Sequence, residues 1–227
     1  KVIFQNNDDE SLICKATNLQ FNKKILIRGS GVDLKEFEYK KNTNEGKINF
    51  LMVSRLLYDK GILEFLQASQ YLSKKKINAY FTLIGEFDPI NPASVEKKLI
   101  ENWQNNNDTF FLGYQKDIKS FIEKADVVIL PSYREGMPKI LLEASAIGRA
   151  IITTNVPGCK DCVINNVNGF IVEPKDVMSL TLAIEKLTNN RELLIKMGQK
   201  SREIAVNKYS LSEVVKKHLE IYNSFFE

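Results

Sequence analysis

The stretch "DVVILPSYREGMPKILLEASAIGRAIITT", residues 126–154, decides the fold class. An apolar run is followed by a Pro/Gly-marked turn, an apolar helical pattern and a second apolar run. The two runs are nearly continuous hydrophobics, the pattern of parallel strands covered on both faces. The same unit recurs on either side. Further runs lie at 48–54, 79–85, 109–113 and 169–174, with 126–132 and 150–154 inside the quoted stretch. Helical patterns fall between them near 61–75, 93–105, 116–125, 138–148 and 158–166. Repeated strand–helix alternation predicts an α/β fold, a Rossmann-like doubly wound parallel sheet.

Two helices follow at 176–189 and 191–208, with Asp176 and Asn190 as N-caps, and Ser210 caps a final helix, 211–226. In that helix Leu211, Val214, Val215, Leu219, Tyr222 and Phe226 form an apolar stripe. Before residue 48, "KVIF" and "KILIRGSGVD" read as strands separated by one short helix, and 38–47 as a polar, flexible connection. The expected division is 1–45 as the end of a preceding domain plus linker, 46–208 as the Rossmann-like domain, and 209–227 as a helix packing back on the preceding domain. Opening on "KVIF" rather than on Met, the chain reads as a fragment.

The 227 residues, 44% hydrophobic and 26% charged, have ordinary globular composition. Net charge is +4, and the lysine clusters are short and not interleaved with aromatics, which argues against nucleic acid as a partner. A weak attraction to an anionic membrane surface, and so peripheral association, stays open. No apolar run approaches the roughly 18–20 residues that span a bilayer, and no signal peptide is evident. Three cysteines without framework spacing point to a reduced, cytoplasmic protein. Cys159 and Cys162 form a lone C-x-x-C, short of the four ligands of a zinc site, and no metal is expected. His218, the only histidine, reads as a structural or surface residue.

Ligands of such sheets bind at the carboxyl ends of the strands, where helix N-termini point. After the run 48–54 come Arg55 and Lys60, with Gly61 opening the next helix. Two cations there suit phosphate oxygens, Arg by bidentate contact and Lys as a point charge; a surface pair of Arg55 with Asp59 is the alternative. Gly85 lets backbone approach a ligand closely. Gly113 and Tyr114, at the end of the run 109–113, offer a wall for a base, or a plain turn. Glu135 lies in the turn after 126–130, ahead of Gly136, Met137 and Pro138, with Pro138 at the first helical position. The Gly136 and Met137 N–H groups can then meet an acceptor. Glu143 leans toward the same end of its helix. A carboxylate accepts paired hydrogen bonds from vicinal hydroxyls, so one glutamate can hold a hexose and the other a ribose. The alternative has Glu135 capping the helix and Glu143 on a polar edge.

Taken together, Arg55–Gly61 as R-x4-K-G, Glu135 and Glu143 as E-x7-E, and "GSGVD" at 29–33 resemble the retaining glycosyltransferases of family 4, which have the two-domain GT-B fold. The stretch 126–174 is similar throughout to that family's nucleotide-sugar-binding domain, and "VPGCKD" and "NNVNGF" are similar to members that assemble lipid-linked or surface polysaccharides in bacteria. The resemblance implies that Arg55 and Lys60 bind the donor diphosphate, that Glu135 with Gly136–Pro138 holds the donor sugar, that Glu143 holds the ribose, and that Leu112–Tyr114 lie along the base. It implies transfer of a hexose or N-acetylhexosamine from a nucleotide diphosphate sugar, UDP-linked by analogy with the polysaccharide-assembly members, with no cofactor. It further implies an acceptor bound mainly by a preceding domain, retention of configuration, and work at the inner face of the cell membrane. Ser54 stands where the family often has Gly. Without its preceding domain the chain is expected to have little activity. A GT-B epimerase and a non-catalytic nucleotide-binding module are the competing readings.

Overall fold

In a computed structural model the described residues are 2–17, 24–104 and 108–225. Lys1, which opens one expected element, and residue 105 and Phe226, which close two others, lie outside them. In chain order the elements are β1 (Val2–Phe4), α1 (Asn7–Thr17), β2 (Lys24–Leu26), β3 (Ile48–Val53), α2 (Ile62–Lys74), β4 (Ala79–Ile84), α3 (Lys97–Trp103), β5 (Thr109–Phe111), α4 (Ile118–Lys124), β6 (Val127–Leu130), α5 (Lys139–Ile147), β7 (Ala150–Thr154), β8 (Gly169–Val172), α6 (Val177–Thr188), α7 (Arg191–Lys208) and α8 (Leu211–Asn223).

The apolar runs become one parallel sheet in the order β5-β4-β3-β6-β7-β8. Their continuous hydrophobicity has a direct cause, since both faces are covered. Alternate residues of β3 serve two cores: Phe50 and Met52 join Phe65, Phe81 and Trp103 on one side, and Leu51 joins Val128, Leu141 and Ile151 on the other. A fully buried side chain of this size contributes about 1.5–3 kcal/mol over an exposed one, so the doubly covered strands carry much of the stability. The chain starts in the middle of the sheet at β3, runs out to one edge, then returns to β6 and runs to the other. That reversal puts the topological switch point at the carboxyl ends of β3 and β6, where ligands of open α/β sheets bind.

Asp176 and Asn190 cap α6 and α7 as expected, accepting from Met178 and Ser179 and from Leu193. Other expectations change. The helix expected over 158–166 is only a single tight turn, Lys160–Cys162. Gly158 and Asn166 take positive φ, and the Asn165 and Asn168 amides hydrogen-bond nearby backbone, competing with helix formation. The helix expected over 93–105 is confined to Lys97–Trp103, because Tyr58 and Val95 N–H groups bond across to Ala93 and Leu56 carbonyls. Pro138 is the N-cap of α5 rather than its first residue. Ser210 stands at the N-cap of α8, but its hydroxyl meets Ser212 Oγ, not a backbone N–H. The stripe of α8 is also offset: Val214 and Ile221 are buried against Ile27, whereas Leu211, Val215, Leu219 and Tyr222 are exposed.

The segment before β3 and the helix after α7 meet each other. Val32 N–H bonds Tyr209 O at 2.8 Å and Leu211 N–H bonds Val32 O at 3.0 Å. Gly31, at φ +73°, is required there, since a Cβ would strike Leu211 backbone. The connection 38–47 is coil, yet it is pinned rather than flexible. Asp126 accepts from the Asn42 and Asn44 amides and the Asn49 N–H, each at 2.7 Å. Arg191 donates to the Asn44 and Gly46 carbonyls.

Candidate donor-binding site

Adjacency of β3 and β6 brings together two of the predicted residues. Lys60 leaves a single tight turn after β3, and Gly61, with φ +74°, redirects the chain into α2. Here only glycine fits, because a Cβ would run into the Pro131 carbonyl. Glu135 lies in the turn after β6. Lys60 Nζ donates to Glu135 Oε1 at 2.6 Å, with both side chains about one-sixth exposed (16% and 17%). Little water reaches this charge-assisted bond, which is worth more than a rim ion pair. Glu135 therefore does not cap α5.

The turn that carries Glu135 is fastened on several sides. Tyr133 N–H and Ser132 Oγ both donate to Asp59 O, and Tyr133 Oη donates to buried Glu64 at 2.7 Å. Burial and that carboxylate push the Tyr133 phenol up, so it stays protonated. Glu135 N–H donates to Pro157 O at 3.3 Å, and Gly158 fits under the Glu135 and Gly136 carbonyls where a Cβ would clash. The Gly136 and Met137 N–H groups find no acceptor among the described residues. They stand ahead of the N-terminus of α5, whose dipole adds partial positive charge.

Glu143 occupies the second turn of α5 and is 8% exposed. Its partner is Lys139, one turn earlier, at 3.4 Å, an exposed lysine. Burial raises the Glu143 carboxyl above the ordinary glutamate range, offset in part by Lys139. The structure thus leaves a carboxylate in an apolar helix with only a weak partner. Glu135 and Glu143 do not touch one another.

Arg55 is separate from Lys60. Its side chain is 63% exposed and 3.8 Å from Asp88, not Asp59. Arg55, Gly85 and Tyr114 line one apolar-walled cleft of about 300 Å³ with Ser54, Glu86 and Gln115. Tyr114 is exposed and Gly113 has a positive φ of +65°, so this turn leaves an aromatic wall uncovered. Leu112 lies outside the cleft lining. Its N–H extends the ladder to Leu83 O, and its carbonyl accepts from Gln115.

Sequence reasoning missed the contacts that the N-terminal segment makes with the turn. Asn6 donates to Gly136 O at 3.0 Å and Arg134 pairs with Asp9 at 2.6 Å. No sequence signal links residues so far apart, although Asn6 before an acidic first turn is readable as a helix cap. Cys159 and Cys162 are buried thiols, Cys162 Sγ 3.9 Å from Met137 Sδ, with Cys159 pushed up to about 11 by burial. Among the described residues no group of three or more His, Cys, Asp or Glu could hold a metal, and no helix is long and apolar enough to cross a membrane.

Known proteins resemble this chain over nearly all of it. The capsular polysaccharide biosynthesis glycosyltransferase CapM of Staphylococcus aureus is 32% identical over 224 residues, 93% of this chain and 58% of that protein. A UDP-Gal:α-D-GlcNAc-diphosphoundecaprenol α-1,3-galactosyltransferase of Escherichia coli is 28% identical over 98% of this chain and 59% of its own length. The chain thus spans less than two thirds of these relatives. A crystal structure of a glycosyltransferase from Rickettsia africae superposes over 100% of this chain and 64% of that one, with a TM-score of 0.86 and 25% identity. Its fold is therefore that of a GT-B glycosyltransferase domain. Residues 33–204, which hold Arg55, Lys60, Glu135 and Glu143, match the family described as glycosyl transferases group 1, and the chain belongs to that family.

Proposed function

We propose that this chain is the donor-binding part of a retaining hexosyltransferase of family 4. It would use a nucleotide diphosphate sugar, with uridine the first nucleobase to test, and a lipid-linked or polysaccharide acceptor. The Lys60–Glu135 contact at the switch point carries this reading. A lysine for diphosphate and a carboxylate for sugar hydroxyls stand within one hydrogen bond, ahead of a helix N-terminus. The similar Escherichia coli protein is named for a UDP-Gal donor and an α-1,3 galactosyl transfer to α-D-GlcNAc-diphosphoundecaprenol. That supports the donor class and, for an α-linked donor, retention.

On this reading donor binding exchanges the partners of Lys60. Its ammonium turns to the diphosphate, and Glu135 is released to accept from sugar hydroxyls. The Gly136 and Met137 N–H groups donate to oxygens of the sugar. Arg55 leaves Asp88 for the diphosphate, Tyr114 flanks the base, and Glu143 accepts from the ribose hydroxyls. As the glycosidic bond breaks, negative charge grows on the leaving diphosphate, where Lys60, Arg55 and the α5 dipole stabilise it. The leaving phosphate oxygen takes the proton of the acceptor hydroxyl. No metal or cofactor is assigned a role in this scheme. The acceptor would bind mainly on the part of the protein absent from this chain, at the inner membrane face. Alone, the chain would bind nucleotide weakly and turn over little.

Calorimetric titration with UDP, GDP and ADP tests the reading. One of them should bind the chain at millimolar concentration or tighter, and binding of none would sink the donor site.

A further inference from the structure

Asn6 is fully buried, at the N-cap of α1, and it is the hub of a contact between the N-terminal segment and the turn after β6. Its Oδ1 accepts from Asp9 N–H at 2.8 Å. Its Nδ2 donates to Asp9 Oδ2 at 2.8 Å and to the Gly136 carbonyl at 3.0 Å. The amide's orientation is unambiguous, because flipping it would set a carbonyl oxygen against a carboxylate and a second carbonyl. The other Asp9 oxygen accepts from Arg134 at 2.6 Å, and Asp8 pairs with Lys160 at 3.0 Å. Residues 6–9 thus grip both sides of the turn 134–137. A Cβ on Gly136 would also meet the Gln5 side chain.

Holding the Gly136 carbonyl fixes the plane of the following peptide. That peptide carries the Met137 N–H, and Glu135 is one residue before it. The geometry points to Asn6 as a positioning residue: its bond to Gly136 O sets the turn that grips the sugar part of the donor, while leaving the nucleotide part alone. The inference rests on the donor-site reading above. It adds that the segment before β3, outside the Rossmann-like unit, controls sugar recognition. Movement of that segment would reach the sugar turn through Asn6 and Asp9, without passing through the sheet.

The test compares a nucleotide with its sugar conjugate, in the full-length protein without acceptor. The pairs are UDP with UDP-glucose and UDP-N-acetylglucosamine, and the GDP and ADP counterparts. Asn6→Ser keeps a hydroxyl to cap α1 but cannot reach Gly136. Asn6→Asp keeps the size and the capping oxygen but loses the donor. Both should lower the affinity ratio of sugar conjugate to nucleotide roughly fivefold, the scale of one hydrogen bond, with nucleotide affinity unchanged. If Asn6→Ser fails to give a cooperative thermal transition, Asn6→Asp is read instead. Equal weakening of both ligands would mean a structural role only and overturn the inference, as would an unchanged ratio. If the unaltered protein binds no nucleotide, the donor-site reading itself fails.

Discussion

The two glutamates of the E-x7-E spacing sit in opposite electrostatic situations. Glu135, the proposed sugar contact, is satisfied by Lys60 at 2.6 Å, inside a turn fastened by Tyr133, Ser132 and Asn6. Glu143, the proposed ribose contact, is more buried yet has only an exposed lysine at 3.4 Å. The first end is closed on itself and the second is held only by an exposed lysine. On the proposed reading, a site that releases its sugar after transfer gains from internal partners that re-form. A carboxylate buried with a poor partner costs stability, and on the same reading a ribose would supply further donors. Each glutamate therefore makes a different demand on the fold, which mutation can separate.

The largest effect is expected at the closed end. In the full-length protein Glu135→Ala should lower turnover by roughly 10²–10³-fold, the scale of removing one preorganised contact at developing charge. The protein should still unfold cooperatively, with a midpoint lowered by the loss of the Lys60 bond. A turnover within twofold of the unaltered protein would show that Glu135 does not hold the sugar.

Glu143→Gln should weaken nucleotide binding about tenfold, in the range of a hydrogen bond to a charged group, and at the same time stabilise the free protein. The sign follows from the raised carboxyl. A group whose pKa is raised by folding favours the fold when protonated, and that contribution is lost as pH rises through its folded value. The gain in midpoint from Glu143→Gln should therefore be present at pH 8 and fade toward pH 4, below the ordinary glutamate value. A rough scale is 2–4 °C for each kcal/mol. A lower midpoint at pH 8 would contradict the contrast drawn between the two glutamates.

Arg55→Ala should have the smallest effect on the fold, because the side chain is 63% exposed and its pair with Asp88 is loose. Nucleotide affinity should drop by about three- to tenfold, and the salt dependence of binding should flatten. Equal salt dependence in both proteins would remove Arg55 from the diphosphate contact.

Much of the fold was legible because its cause is local. Strands covered on both faces must be apolar throughout, so the six runs could be recognised one by one. Asp176 and Asn190 were legible as caps for the same reason, since a cap answers to N–H groups two or three residues away. The failures have non-local causes. Asn165 and Asn168 suppress a helix over 158–166 through bonds that depend on where β8 begins. The stripe on α8 was misread because Leu211, Val214 and Val215 are alike in hydrophobicity, and contact with Ile27 selects which is buried. Asp88 displaced Asp59 as the partner of Arg55, a choice set by the approach of the loop after β4.

What the amino-acid sequence determined by itself is the alternation of strand and helix and the residue types at the strand ends: Lys60 after one apolar run and Glu135 after another. What only the tertiary structure decided is that these runs are neighbours, β3 beside β6, so that residues 75 apart in the chain meet at 2.6 Å. The physical reason is that periodicity reports how each strand is covered, not which strand lies beside it. Strand order follows from how the helices fill both faces, and that packing places a lysine, a glutamate and a helix N-terminus at one switch point.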